Sequence, residues 1–331
     1  MFLTSKLVYF AAYRIWRAVF MVLLRTLVAN SLFFSVMLLS SMAQSEYITK
    51  LPPIAKTEFI SIKKNPLARS LQGLSALVGK FSVDGLIQYT LILQPEDGMP
   101  AAGWPVIIFN HGFHPEPFMN GRRSEDGAND RPGDYYREIP QALARQGFLV
   151  IAPDYRGHND SAGAEFTLRE GSPNWYARDV LGVIAALQGT DLGNMQELFM
   201  LGHSMGGQVT LLAAAALGDR LKGASIWSTY VPAAVIAGAR QSKSDPFGQL
   251  QLQLEQIYSP MNIHHAEGDP ATAYEGSVLI ARQLEQLENP STLYLYQSTN
   301  HLFTGDNLQR AIRRDIELFR RVMRSQIRPQ D

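Results

Sequence analysis

The sequence predicts an α/β protein, with a mostly parallel sheet of about eight strands, helices on both faces of the sheet and a small cap insertion. From about residue 83 onwards, segments with strand patterns alternate with segments of helical spacing, which is typical of a parallel sheet. Pro105–Phe109 and Phe148–Ala152 are short, continuous apolar runs, as expected for strands covered on both faces. The 331 residues are 46% apolar and 18% charged, which provides for a core and excludes a disordered protein.

The predicted elements follow one another at short spacing. Residues 44–82 form an N-terminal segment that contains several prolines, and we interpret it as a linker with one strand at Glu58–Ile62. Residues 83–331 form a single domain, whose strands we predict at Leu86–Leu93, Pro105–Phe109, Phe148–Ala152, Leu198–Leu201, Ser225–Ser228, Met261–His265 and Thr292–Tyr296. Its helices are predicted at Tyr135–Gln146, Trp175–Leu187, Met205–Leu217, Tyr274–Leu287 and Asn307–Met323. In such a sheet, the functional site is expected at the carboxyl ends of the strands.

Residues 1–43 have the features of a targeting segment. They contain basic residues but no acidic one, and the apolar stretch Thr26–Ser40 is followed by small residues at Ser41 and Ala43, as at a signal-peptidase site. We favour a cleaved signal peptide, which would have an ordinary length if the true start were the internal Met21. An uncleaved membrane anchor and a buried core helix are the alternatives. The expected protein is exported, periplasmic or secreted, and meets a membrane only through this segment.

Charge and cysteine content exclude several classes of function. The 30 basic and 30 acidic residues cancel, but four of the basic ones lie in residues 1–43, so the remainder is mildly acidic. This balance argues against nucleic-acid binding, which usually requires a basic excess. The absence of cysteine excludes disulfide scaffolds, thiolate metal sites and cysteine nucleophiles. A nucleophile in this chain therefore has to be an oxygen.

The G-x-S-x-G sequence at Gly202–Gly206 stands directly between a predicted strand and a predicted helix. A sharp strand-to-helix turn presents the serine hydroxyl above the sheet, and the flanking glycines let the backbone pass close to its neighbours. The start of the helix adds free amides, which favour developing negative charge. We therefore predict that Ser204 is a nucleophile, and the alternative is a glycine-rich turn without a chemical role.

A serine hydroxyl needs a base, and seven histidines are available. In serine enzymes built on such a turn, the chain order is nucleophile, acid, base, which favours His301 behind the last predicted strand. Asp269 follows the preceding predicted strand and is the predicted acid, with Glu267 in reserve. The alternatives are that His301 and Asp269 only cap a helix or turn. His203 sits inside the turn and is too constrained to reach the hydroxyl of Ser204.

An oxyanion requires two backbone N–H donors. The first predicted donor is the amide of Met205, directly after the nucleophile. The second is the amide of Phe113, in the loop behind an apolar strand, where Gly112 lets the backbone turn inward. This apparatus needs no metal and no organic cofactor.

These residues resemble the α/β-hydrolase superfamily, and within it the prolyl-oligopeptidase-like and dienelactone-hydrolase-like branch. The resemblance covers about residues 83–325, and it rests on Pro105–Gly112, Ala144–Ala152, Asp154–Gly163, Gly202–Gly207, the Asp269 turn and His301. It implies the α/β-hydrolase fold, with Ser204 as nucleophile, Asp269 as acid and His301 as base. This chain departs from the family at Asn159 and Ala266, where glycine is usual. Asp154 and Arg156 are expected to order the loop beside the nucleophile.

We expect a serine hydrolase that cleaves a small-molecule carboxylic ester through an acyl-enzyme. The alternatives are a serine peptidase of the prolyl-oligopeptidase type, a lipase with a larger cap, and a non-enzymatic binding protein on the same scaffold. The polar segment Phe113–Asp134 either lines the substrate site or forms a solvated loop. Pro232–Ser259 is interpreted as the small helical cap, whose apolar residues either line an acyl pocket or pack on the core.

Overall fold

The computed structural model describes residues 54, 56–65, 71–119, 136–167, 171–238 and 246–327, all within one compact unit that spans residues 48–331. The predicted targeting segment lies outside the described residues, as do residues 120–134 of the polar segment and residues 239–245 of the predicted cap. Within the described ranges, no helix has the length and apolar character needed to cross a membrane.

Nine strands of the described chain form a single sheet. In chain order, they are β1 (Phe59–Lys64), β2 (Leu74–Val83), β3 (Leu86–Pro95), β4 (Trp104–Asn110), β5 (Leu149–Pro153), β6 (Gly193–His203), β7 (Gly223–Trp227), β8 (Met261–Ala266) and β9 (Ser291–Tyr296). Their order in space is β1-β2-β3-β5-β4-β6-β7-β8-β9. The six strands β5-β4-β6-β7-β8-β9 pair with their neighbours in parallel. Strands β1, β2 and β3 pair antiparallel with one another, and β3 also pairs antiparallel with β5. The mostly parallel sheet that the sequence predicts is confirmed.

Helices cover both faces of the sheet, as predicted. In chain order, the α-helices of the described chain are α1 (Glu138–Ala144), α2 (Ser172–Leu187), α3 (Met205–Leu217), α4 (Ala233–Ile236), α5 (Pro246–Leu254), α6 (Tyr274–Gln286) and α7 (Gly305–Ile327). Helices α2 to α6 contribute to one hydrophobic cluster, and α1 and α7 contribute to a second. Because successive side chains of a strand point to opposite faces, Ile108 of β4 joins the first cluster and Phe109 joins the second.

The linker interpretation of residues 44–82 missed strand β2. This strand pairs with β3 along its full length as an antiparallel hairpin. The hairpin turn is Asp84-Gly85, whose φ angles of 52° and 79° are the left-handed values that a two-residue turn between twisted strands requires. Ser75, Gly79 and Lys80 interrupt the apolar pattern of β2, and this interruption concealed the strand. The Asp-Gly pair is the signal that could have revealed it.

The predicted cap is helical where the structure describes it, in α4 and α5. Leu254 and Ile257 are buried in the first hydrophobic cluster, and Leu250 packs against it. These side chains therefore pack on the core and do not line an acyl pocket.

The loop that follows β5 is held by buried ion pairs. Arg156 is fully buried, with Nη2 2.7 Å from Oδ1 of Asp179 and 3.0 Å from Oδ2 of Asp84. In the same loop, Nδ2 of Asn159 donates to Oδ1 of Asp154 at 2.7 Å. Asn159 has a φ of 51°, so asparagine adopts here the left-handed conformation for which glycine is more usual. These contacts support a structural role for Asp154 and Arg156.

Candidate active site

Ser204 lies at a strained turn between β6 and α3. Its φ of 57° and ψ of −120° are unusual for a residue with a side chain, and such strain persists only where the surroundings enforce it. The neighbouring glycines show what enforces it: a Cβ on Gly206 would lie 2.1 Å from the carbonyl oxygen of Asn110, and a Cβ on Gly202 would lie 2.2 Å from that of Gly206. The sequence G-x-S-x-G is therefore required here by the close approach of backbone segments.

His301 and Asp269 meet at the carboxyl edge of the sheet. Asp269 follows β8 and His301 follows β9, and these neighbouring strands are parallel, so the segments behind them lie side by side. Nδ1 of His301 lies 2.8 Å from Oδ2 of Asp269. A carboxylate can only accept, so Nδ1 carries the proton and Nε2 of His301 is left as the basic nitrogen. Asp269, rather than the reserve candidate Glu267, makes this contact.

The Asp269 carboxylate is enclosed by donors. Oδ1 accepts the backbone N–H groups of Ala271 at 2.8 Å and Thr272 at 3.1 Å, and Oδ2 accepts the hydroxyl of Thr272 at 2.8 Å. Nε2 of His265 lies 3.3 Å from the same Oδ2. Burial raises the pKa of Asp269, but the hydrogen bonds from His301 and from these donors outweigh it and lower the pKa to about 2. Asp269 is therefore ionised at neutral pH.

The donors around Asp269 make the stability of the chain sensitive to acid. Its pKa is about 2 in the folded chain against an ordinary 3.8, so the unfolded chain binds the proton first as the pH falls. The stabilisation is complete above about pH 4 and is lost as the pH falls towards 2. We expect Asp269→Asn to lower the melting temperature near neutral pH, and the difference from the wild type to shrink below about pH 4. Calorimetry across this range tests the prediction.

The matched control for this experiment is Asp219→Asn, which changes an exposed carboxylate in the same way. It should leave the melting temperature close to that of the wild type throughout. A difference between Asp269→Asn and the wild type that stays constant down to about pH 2 would contradict the acid-dependent role of this carboxylate.

Ser204 and His301 border one cavity of about 670 Å³. The described residues that line it are Phe113, His114, Pro117, His158, Ser172, Pro173, Tyr176, Ser204, Met205, Gln208, Tyr230, Ala271, Thr272 and His301. This lining contains no Asp, Glu, Lys or Arg. Burial lowers the pKa of His158 to about 4, so this side chain is neutral near pH 7. The described wall of the cavity is thus polar in places but carries no fixed charge.

Both predicted oxyanion donors lie on this cavity. Met205 begins α3, and Phe113 stands in the loop behind β4. The loop passes directly beside the serine, since a Cβ on Gly112 would lie 3.2 Å from Cβ of Ser204. The N–H of Gly112 donates to the hydroxyl of Tyr136 at 2.9 Å. The next amide of the loop is that of Phe113, and its role as the second donor stays a prediction.

The other histidines have different surroundings. Nδ1 of His203 faces the hydroxyl of Tyr136 and its Nε2 faces the backbone of His301, so the ring lies behind the serine. His111 is buried and stacks on Tyr155, with ring centroids 4.1 Å apart. His264 lies in the core, where its Nε2 is 3.0 Å from the carboxylate of Asp315 and its Nδ1 is 2.7 Å from the hydroxyl of Tyr296. Sequence reasoning favoured His301 over these histidines by chain order, and it rejected His203 because the turn constrains that side chain.

Sequence reasoning missed several residues that surround the candidate site. Thr272 and His265 contact Asp269, and Tyr136 joins the oxyanion loop to His203. Thr272 could have been found, because a hydroxyl three residues after an aspartate is a frequent partner in a turn. No local spacing signals Tyr136, which is 24 residues from Gly112 and 67 from His203.

Known proteins that resemble this chain are hydrolases. A family model described as serine aminopeptidase, S33, matches residues 127–243, which include the turn at Ser204 but end before Asp269. The Bacillus subtilis (strain 168) protein named uncharacterized peptidase YtmA is 25% identical over 192 residues, which are 52% of this chain and 71% of that protein. Monoglyceride lipase of Rattus norvegicus is 37% identical over 89 residues, which are 27% of this chain and 28% of the lipase.

Solved structures show the same architecture. A putative dipeptidyl aminopeptidase IV from Bacteroides ovatus superposes with a TM-score of 0.61 at 16% identity, over 77% of this chain and 36% of that one. Acetyl xylan esterase 1 from Thermoanaerobacterium sp. superposes with a TM-score of 0.58 at 13% identity, over 84% of this chain and 93% of the esterase. The fold predicted from the sequence is confirmed as that of the α/β-hydrolases. The match to the serine aminopeptidase family model and the similarity to the Bacillus subtilis peptidase confirm the predicted class, an enzyme of the serine hydrolase type.

Proposed function

We propose that this serine hydrolase cleaves an uncharged carboxylic ester through Ser204, His301 and Asp269. One observation carries the proposal: the strained serine and the paired histidine border a single cavity whose described wall contains no Asp, Glu, Lys or Arg. An ester without charge near its scissile bond fits such a wall. Phe113 and Tyr230, both substantially exposed at this cavity, offer apolar surface to the acyl or alcohol group.

The first half of the proposed reaction forms an acyl-enzyme. Oγ of Ser204 attacks the ester carbonyl carbon while Nε2 of His301 takes the hydroxyl proton. Asp269, ionised at neutral pH, holds the tautomer of the imidazole and stabilises its cationic form. The amides of Met205 and Phe113 donate hydrogen bonds to the developing oxyanion, and one such donor typically supplies roughly 2.7–4 kcal/mol. The bond to the leaving alcohol breaks, and the alcohol departs with the proton from His301.

The second half of the proposed reaction regenerates the enzyme. A water molecule takes the place of the alcohol and gives a proton to Nε2 of His301 as its oxygen attacks the acyl carbon. The oxyanion that forms in this half accepts hydrogen bonds from the same two amides. When this intermediate collapses, the bond to Oγ of Ser204 breaks, the serine recovers its proton from the imidazolium, and the carboxylic acid is released.

A serine peptidase is the second candidate, favoured by the match to the serine aminopeptidase family and by the peptidase relatives. An aminopeptidase has to bind the α-ammonium group of its substrate, and a buried cation requires a paired anion. Among the described residues that line the cavity there is no carboxylate to serve as this partner. The superposition on an acetyl xylan esterase along nearly its whole length shows that the same architecture occurs in an esterase. We therefore place the ester first.

Matched substrates distinguish the two candidates. We expect the purified chain to hydrolyse neutral p-nitrophenyl esters of short and medium acids, and to leave aminoacyl p-nitroanilides intact. The same preparation should react covalently with a fluorophosphonate. Faster cleavage of an aminoacyl anilide than of the ester with the same acyl group would reverse the order of the candidates.

We also propose that residues 1–43 direct export and are removed after Ala43. The basic residues, the apolar stretch and the small residues before Gln44 support this proposal. Mass spectrometry of the protein recovered from the periplasm or the medium of an expressing bacterium is expected to find Gln44 at the N-terminus. Recovery of the intact segment in the membrane fraction would instead support the anchor.

A further inference from the structure

We propose that Tyr136 and His203 act as a pair of positioning residues that links the oxyanion loop to the backbone of His301. This inference rests on the proposed function of the site and goes beyond it, because neither side chain is among the described residues that line the cavity. Both are almost completely buried behind the serine, 4% and 3% exposed.

Three hydrogen bonds connect the two loops. The N–H of Gly112 donates to Oη of Tyr136 at 2.9 Å, Oη lies 2.8 Å from Nδ1 of His203, and Nε2 of His203 lies 3.0 Å from the carbonyl oxygen of His301. The carbonyl can only accept, so the proton of His203 lies on Nε2. Nδ1 is then an acceptor for the hydroxyl of Tyr136, which accepts in turn from Gly112. All three bonds are thus satisfied by one arrangement of protons, with His203 neutral.

The surroundings of His203 keep it neutral. Burial and the nearby His301 lower its pKa, the bond to the His301 carbonyl raises it, and the net pKa is about 3. Its ring also lies against that of His301, with centroids 4.6 Å apart and an angle of 57° between the planes. The ring of His301 therefore contacts His203 in addition to Asp269.

The oxyanion loop is fitted to this pair. A Cβ on Gly112 would lie 2.5 Å from Oη of Tyr136 and 3.3 Å from Nδ1 of His203, so glycine makes room for both side chains. The bond to Tyr136 fixes the N–H of Gly112, one residue before the proposed oxyanion donor Phe113. The two ends of the link are therefore the backbone that stabilises the oxyanion and the backbone that carries the base. A displacement on the order of 1 Å in either is enough to cost about 100-fold in rate.

Two amide variants separate the two ends of the link. In His203→Asn, the side-chain oxygen can replace Nδ1 as the acceptor for Tyr136, but no donor reaches the His301 carbonyl. In His203→Gln, the amide nitrogen can replace Nε2 as that donor, but the bond from Tyr136 to Nδ1 is lost. We expect each variant to lose kcat by about 10- to 100-fold with a small change in KM. We expect His203→Ala, which loses both ends, to lose more.

A double-mutant cycle tests whether Tyr136 and His203 act as one unit. Tyr136→Phe alone should lower kcat, and it should cause a smaller loss when added to His203→Gln, because the bond between the side chains is already absent there and only the bond from Gly112 is left to lose. Tyr258→Phe, at an exposed tyrosine, is the matched control and should leave kcat unchanged. Losses that add in full, or variants with a lowered melting temperature but full kcat in the folded fraction, would overturn the proposal.

The arrangement of protons can be examined without any substrate. Nitrogen NMR of labelled protein near neutral pH should show His203 as the neutral tautomer with its proton on Nε2, and Tyr136→Phe should shift the Nδ1 resonance. A proton on Nδ1 would overturn the link even in an active enzyme. If the wild type neither cleaved esters nor reacted with a fluorophosphonate, the proposed function would fail while this NMR result could still stand.

Discussion

Replacing Ser204 with alanine is expected to reduce ester hydrolysis by about five to six orders of magnitude while leaving the fold intact. The substitution removes the only atom that can bond to the acyl carbon in the proposed reaction, and Oγ has no substitute at this turn. Alanine has the same Cβ as serine, so the turn at φ 57° is strained to a similar extent in both proteins. The measurement is kcat/KM on a p-nitrophenyl ester, with covalent reaction of a fluorophosphonate as the second readout.

The control for this variant is Ser325→Ala, which removes an exposed hydroxyl from α7 and should leave the rate unchanged. The variant Ser204→Ala, His301→Ala gives a further test, because residues that act as a unit are not additive in their effects. We expect the double variant to be about as inactive as Ser204→Ala alone. Substantial ester hydrolysis by Ser204→Ala, with unchanged fluorophosphonate labelling, would remove the nucleophile from its proposed role.

Most of the sheet could be predicted because its strands are local features of the sequence. β4, β5 and β7 are buried on both faces and appear as short apolar runs, and α3 follows β6 through a glycine-containing turn that has a distinctive sequence. The antiparallel part was harder, because β2 carries polar residues between its buried ones. Periodicity alone therefore failed there, although Asp84-Gly85 marked the turn of the hairpin.

Some features of the candidate site could likewise be predicted from the sequence, and others could not. Ser204, Asp269 and His301 each follow a strand, so chain order and parallel pairing were sufficient to predict that they come together. The contacts between Tyr136, Gly112 and His203 depend on where α1 packs on the second face of the sheet. Such contacts arise from tertiary packing, and the sequence holds no spacing that reports them.

Replacing Asp269 with asparagine is expected to lower kcat by about 10⁴-fold, although the two side chains have the same shape. The backbone N–H groups of Ala271 and Thr272 both donate to Oδ1, so the amide oxygen of asparagine has to take that position. The amide nitrogen then replaces Oδ2 and presents a donor to Nδ1 of His301. The imidazole responds by accepting at Nδ1 and carrying its proton on Nε2, where the base should be.

Glu267→Gln is the matched control for Asp269→Asn, because it neutralises a carboxylate two residues away in the same turn. It should retain the wild-type kcat, since Nδ1 of His301 donates its hydrogen bond to Asp269. If Glu267→Gln lost activity and Asp269→Asn kept it, the acid would have been assigned to the wrong residue. Nitrogen NMR of His301 in Asp269→Asn separates a changed tautomer from general damage, because a proton on Nε2 in a chain with a normal melting temperature attributes the lost rate to the tautomer.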